Sequence, residues 1–128
     1  MLDASAAVEW LLQTPAGQRV DKRIFSAHES LHAPHLLDVE VGHALRRLVR
    51  EGMVPTDRAH AAVEDLEDLR ITRYPHVVLL RRIWQLRHNL SAYDAAYVVL
   101  AETLGARLVT CDRRLGSASG HTAAIEVF

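Results

Sequence analysis

"LSAYDAAYVVLAETLGARLVTCDRRL", residues 90 to 115, holds the reading that decides the fold. Ser91 stands where a helix N-cap belongs, and Gly105 is the residue type that ends a helix in a left-handed turn. Beyond the glycine, "RLVTC" has the short apolar run of a buried strand, and Asp112 closes it. A helix that passes its chain to a strand through so short a turn runs antiparallel to that strand. The start of the helix and the end of the strand therefore share an edge, which brings Asp94 and Asp112 to the same side. Asp112 alone could simply begin a turn, where Asp is common. The rest of the chain has to decide what the pair is for.

Working outward, "MLD" reads as the end of a short strand and "SAAVEWLLQ" as a helix with Ser5 as its N-cap. "TPAG" breaks the chain, and "GQRVDKRIFSAH" is a second helix with Val20, Ile24 and Phe25 on one side. "SLHAP" is a strand stopped by Pro34. "LLDVEVGHALRRLVREG" spaces Leu37, Val41, Ala44, Leu45 and Leu48 as a helix that Gly52 ends. Thr56 opens another, with Ala59, Ala62, Val63, Leu66 and Leu69 as its stripe. "RITRY" is a strand, "PHVVLLRRIWQLRH" a helix, "RRLGS" a short turn or helix, and "AAIEVF" a last strand. Strands separated by helices predict an α/β fold: one domain over residues 1–128, with a parallel-stranded central sheet flanked by helices on both faces.

The 128 residues suffice for a core of their own, and a net charge of −1 gives no bulk signal for nucleic acid. A local patch can still steer a polyanion. The basic residues are fourteen Arg and a single Lys22, and Arg suits phosphate contacts. Codon bias of a GC-rich genome explains the same excess. One cysteine, Cys111, rules out an internal disulfide and fits a reducing compartment. No apolar run approaches membrane-span length, and the first residues lack the basic start of a signal peptide. The expected location is cytoplasmic.

In a sheet of this kind ligands bind beyond the carboxyl ends of the strands. Asp3 ends the first strand and Asp112 the fourth. Glu40 lies near the start of the helix that follows the second strand, and Asp94 in the first turn of the helix before the fourth. Four acids far apart in sequence are thus assigned to one rim. Asp94 precedes Tyr97, Val98 and Ala101 at helical spacing, so it lies on the inward stripe. A carboxylate aimed at a core edge is costly unless paired or metal-bound. No Lys lies nearby in sequence, and no Arg is an obvious buried partner. Several hard oxygen ligands at one edge suit Mg²⁺ or Mn²⁺. Each acid also has a structural reading. Ser91 and Asp94 form a capping box, Asp3 accepts from its own turn, and Glu40 favours a helix N-terminus.

Other features carry less. His28, His32 and His35 sit in "HESLHAPH", but without a cysteine partner they read as surface or core histidines rather than a zinc site. Glu64, Asp65, Glu67 and Asp68 oppose an apolar stripe and read as a solvated face. Trp10 and Trp84 read as core or interface residues. Ser5 has no matching His and Asp for a nucleophilic triad. A receiver-type signalling domain would need a rim Lys. A haloacid-dehalogenase-like phosphatase would need Asp where Ser5 stands. A catalytically silent binding or regulatory module on the same α/β fold remains the alternative to an enzyme.

"LDASA", "LLDVEVGHALRRL", "LSAYDAAYVVLAETLGARLVTCDRRL" and "IEVF" together resemble the PIN-domain ribonucleases, and within them the VapC-type toxins of type II toxin–antitoxin systems. The resemblance spans essentially the whole chain. It implies an acidic quartet at Asp3, Glu40, Asp94 and Asp112, with Ser5 and Thr110 as supporting polar residues. It further implies Mg²⁺- or Mn²⁺-dependent endoribonuclease activity, a homodimer, and a VapB-type antitoxin that blocks the site. In that chemistry Asp3 and Asp94 are the main ligands, while Glu40 and Asp112 orient water or hold a second ion. Arg113 and Arg114, beside the rim, would contact RNA phosphates or an acidic antitoxin segment. Only Met1 and Leu2 precede Asp3, a shorter apolar run than the family usually has, which predicts either a short first strand or a true start upstream of Met1.

Overall fold

The structure, a computed structural model, describes residues 1–27 and 29–128. His28 lies outside the described residues. Two parallel ladders form the sheet. In one, β1 (Leu31–Pro34) pairs with β2 (Ile71–Tyr74), Leu31 facing Ile71. In the other, β3 (Leu108–Thr110) pairs with β4 (Ile125–Val127), Leu108 facing Ile125. The first three residues join them. Leu2 N–H donates to the His32 carbonyl at 3.0 Å, and Val109 N–H to the Met1 carbonyl at 2.9 Å. Leu2 makes a single parallel bridge with Val109, so the expected first strand is reduced to this bridge. The spatial order is β2, β1, residues 1–3, β3, β4. Chain order reverses at the amino-terminal segment, which is where a doubly wound sheet opens a crevice.

Helices cover the sheet: α1 (Ala4–Leu11), α2 (Pro15–Ala27), α3 (Leu36–Arg50), α4 (Thr56–Asp68), α5 (Leu80–Gln85), α6 (Ala92–Leu104) and the single turn α7 (Arg113–Gly116). Helix α6 is the central one. Every residue from Ala95 to Ala101 is buried, as expected of a helix apolar all round. Ser91 caps it by accepting from Asp94 N–H, and Gly105 ends it at φ 59°, a conformation that glycine adopts without strain. In α3 the buried residues are Leu37, Val41 and Leu45, one turn apart.

The structure corrects several expectations. The N-cap of α1 is Asp3, not Ser5, which lies inside the helix. Asp3 has the extended backbone a cap needs, and its carboxylate reaches Ala6 N–H. The stretch after Pro75 is not one long helix. It is a 3₁₀ turn over Val77–Leu79 followed by the six-residue α5. Only Leu79, Ile83 and Leu86 are buried there, and the adjacent Val77 and Val78 are exposed. So narrow a stripe on β-branched residues does not support a longer helix. Val63 is 40% exposed and leaves the stripe of α4, and Phe25 is 67% exposed. The acidic face of α4 is solvated as expected.

Candidate active site

Asp3 is 5% exposed, set at the carboxyl end of the amino-terminal segment. Its Oδ1 accepts from Ser5 Oγ and Ala6 N–H, both at 2.8 Å, and its Oδ2 from Thr110 Oγ1 at 2.5 Å. Each hydroxyl has one proton, and both point at Asp3 when it is ionised. Ser5 and Thr110 then accept from the backbone N–H groups of Cys111 and Asp112. This network ties α1 to the end of β3. Burial pushes the Asp3 carboxyl above its usual range, against the Ala6, Thr110 and Ser5 donors, and the Asp112 charge adds to the rise.

Glu40 projects from α3 into a cleft of about 610 Å³ whose walls include Ser5, Val8, Val39, Tyr93 and Cys111. Its Oε2 accepts from the Tyr97 hydroxyl of α6 at 2.5 Å. Burial raises the Glu40 carboxyl, the Tyr97 bond opposes this, and the charges of Asp94 and Asp3 raise it further. Burial, followed by the Glu40 contact, lifts the Tyr97 hydroxyl above its ordinary range. Asp94 stands three residues before Tyr97 in the capping box with Ser91, whose hydroxyl donates to Asp94 Oδ2 at 2.7 Å.

Asp112 caps α7 and accepts from Arg114 N–H at 2.8 Å. The Arg114 guanidinium lies 3.2 Å from Asp112 Oδ2 and, as the leading cause, holds that carboxyl below the usual range. The sequence offers these acids no obvious buried arginine; the partner of Asp112 is Arg114, on the surface. Arg113 is exposed beside it.

The four acids fall in one electrostatic neighbourhood. Glu40 feels Asp94 and Asp3, Asp3 feels Asp112, and Arg114 feels Asp94. Their oxygens are hard donors, and some remain open. Glu40 Oε1 and Asp94 Oδ1 accept no hydrogen bond among the described residues. That donor set fits a hard divalent cation. Among the described residues no group of three or more acid, His or Cys side chains is placed to hold a metal ion. Burial pushes the Cys111 thiol up to about 11, the opposite of the shift that activates a cysteine.

His32 bonds Tyr74 and Ser30 rather than a ligand group, and His35 is exposed. Trp10 is buried and donates to Asp21, while Trp84 is 69% exposed beneath the Arg87 guanidinium. The sequence reading missed Tyr97 and Tyr93 as site residues. Tyr97 had the signal: a polar atom on the buried stripe of α6, one turn from Asp94, needs a partner.

The family model for the PIN domain matches residues 1–120. The chain belongs to the PIN-domain family. Its relatives include ribonuclease VapC9 of Mycobacterium tuberculosis, 47% identical over 90% of this chain and 87% of the relative. Ribonuclease VapC12 of the same organism is 42% identical over 99% of this chain and 97% of its own length. The crystal structure of PAE2754 from Pyrobaculum aerophilum superposes with a TM-score of 0.70 at 30% identity, covering 98% of this chain and 81% of that one. This PIN domain is therefore of the VapC type. Among the described residues no helix is long and apolar enough to cross a membrane.

Proposed function

We propose that this PIN domain is a metal-dependent endoribonuclease acting as the toxin of a type II toxin–antitoxin pair in the cytoplasm. The observation that carries the reading is the convergence of Asp3, Glu40, Asp94 and Asp112 on the rim where chain order reverses. The names of VapC-type ribonucleases 42–47% identical to this chain support it.

Asp3 and Asp94 would hold Mg²⁺ or Mn²⁺, with Glu40 completing the donor set. When bound, the cation would activate water and offset charge that develops on a phosphodiester. Asp112 would orient water, its carboxylate held in place by the Arg114 ion pair. Ser5 and Thr110 would keep Asp3 rigid through the hydroxyl bonds described above. Arg113 would contact RNA phosphates, and so would Arg114 on releasing part of its hold on Asp112. The protein would act as a homodimer, and a VapB-type antitoxin segment would lie in the cleft between α1 and α3. That cleft has an apolar wall of Val8, Val39 and Leu48 beside Glu40.

Incubating the pure protein with total cellular RNA tests the reading. Discrete new ends with Mg²⁺ and none with EDTA are expected. RNA left intact under both conditions would overturn it.

A further inference from the structure

Tyr97 and Glu40 are joined by a hydrogen bond that crosses from α6 to α3, between residues 57 positions apart. The Tyr97 side chain is 3% exposed, so the core of α6 fixes where its hydroxyl sits. Asp94 lies three residues earlier on the same helix face. One face of α6 thus presents a carboxylate to the rim and holds a second carboxylate that belongs to another helix. We infer that Tyr97 is a positioning residue for the acidic site: its hydroxyl holds Glu40 Oε2 and leaves Oε1 as the oxygen available to a divalent cation. This rests on the metal-dependent reading above.

Three observations converge on that role. An O–H···O⁻ contact of 2.5 Å is in the range of short, charge-assisted bonds, which are the strong ones. Glu40 borders an open cleft and has three rotatable bonds, so its carboxylate has room to move. The charges of Asp94 and Asp3 also repel the Glu40 carboxylate. The bond to Tyr97 is the restraint that opposes them. Removing such an outer partner of a metal-binding carboxylate typically weakens the site ten- to a hundredfold.

A buried tyrosine hydroxyl needs some acceptor, and Glu40 could be merely that acceptor. A double-mutant cycle separates the two roles. Mn²⁺ binding by the full chain is followed by calorimetry, and RNA cleavage in parallel. Tyr97→Phe, which keeps the ring, should weaken Mn²⁺ binding about tenfold and lower kcat about tenfold, with KM for RNA unchanged. In a Glu40→Gln background the same change should have no further effect on either quantity. Glu40→Asp, which draws the carboxylate back from the hydroxyl, should lose about as much and should mask Tyr97→Phe. Wild-type Mn²⁺ affinity and kcat in Tyr97→Phe, or an equal loss in the Glu40→Gln background, would overturn the inference. If Tyr97→Phe does not fold, Glu40→Asp decides: unaltered Mn²⁺ affinity there overturns it as well. A wild-type protein that binds no Mn²⁺ and cuts no RNA sinks this inference together with the ribonuclease reading. A wild-type protein that does both, beside a silent Tyr97→Phe, sinks the inference alone.

Discussion

Thr110 Oγ1 donates to Asp3 Oδ2 at 2.5 Å, between residues 107 positions apart in the chain. Both groups are buried, and the same hydroxyl accepts from Asp112 N–H. Thr110→Val keeps the shape and removes both functions. A buried acceptor left without its donor costs about 1–3 kcal/mol, more when charged. Urea unfolding with EDTA present should show a loss of at least this size, and Thr110→Ser should recover most of it. Equal stability of Thr110→Val and wild type would mean that Asp3 is held by α1 alone.

Asp94→Asn keeps the size of the side chain and can still accept from Ser91, so the cap on α6 should survive. It removes one charge from a rim of like charges. The expected protein is folded, inactive on RNA with Mg²⁺, and at least as heat-resistant as wild type in EDTA. Excess Mn²⁺ should stabilise wild type by ~2.7 kcal/mol at a hundredfold excess over its dissociation constant, and the variant by less. Thermal melts in EDTA and Mn²⁺ check this. A folded Asp94→Asn protein with full RNA cleavage would remove Asp94 from the mechanism.

Two glycines of neighbouring helices should respond in opposite directions. A Cβ on Gly17 would sit 1.9 Å from the Glu9 carbonyl oxygen, where α2 crosses the backbone of α1. Gly17→Ala must push the two helices apart, at a cost of about 1–3 kcal/mol or more. A Cβ on Gly42, inside α3, would meet nothing within 4 Å. Gly42→Ala should therefore stabilise by about 0.5–1 kcal/mol through helix propensity and a less flexible unfolded chain. Urea midpoints that move the same way for both would contradict this packing.

Glu102 supplies a pH-dependent prediction away from the rim. Arg82, joined to it at 3.0 Å, is the main cause holding its carboxyl below the usual range, and Thr122 N–H adds to this. A depressed folded value means that the ionised form contributes stability. That contribution is complete above the ordinary glutamate value of about 4.3 and is lost as pH falls through the lower folded value. Glu102→Gln should melt below wild type at pH 7, and the gap should narrow as pH falls below the ordinary glutamate value. A gap that stays constant across that range would assign the loss to packing rather than charge.

The sequence by itself determined the helices α3, α4 and α6, the cap at Ser91, the stop at Gly105, and the assignment of four acids to one sheet edge. These follow from interactions within three or four residues and from the geometry of strand–helix alternation, so a one-dimensional pattern carries them. Tertiary structure decided the rest. Asp3 displaced Ser5 as the cap of α1 because its carboxylate also meets Thr110 from β3. Glu40 received Tyr97, 57 residues away, through a side-chain placement that has no sequence period. Val63, Phe25 and Trp84 stayed exposed because apolar spacing indicates which residues share a helix face, while burial also requires a neighbour to cover that face.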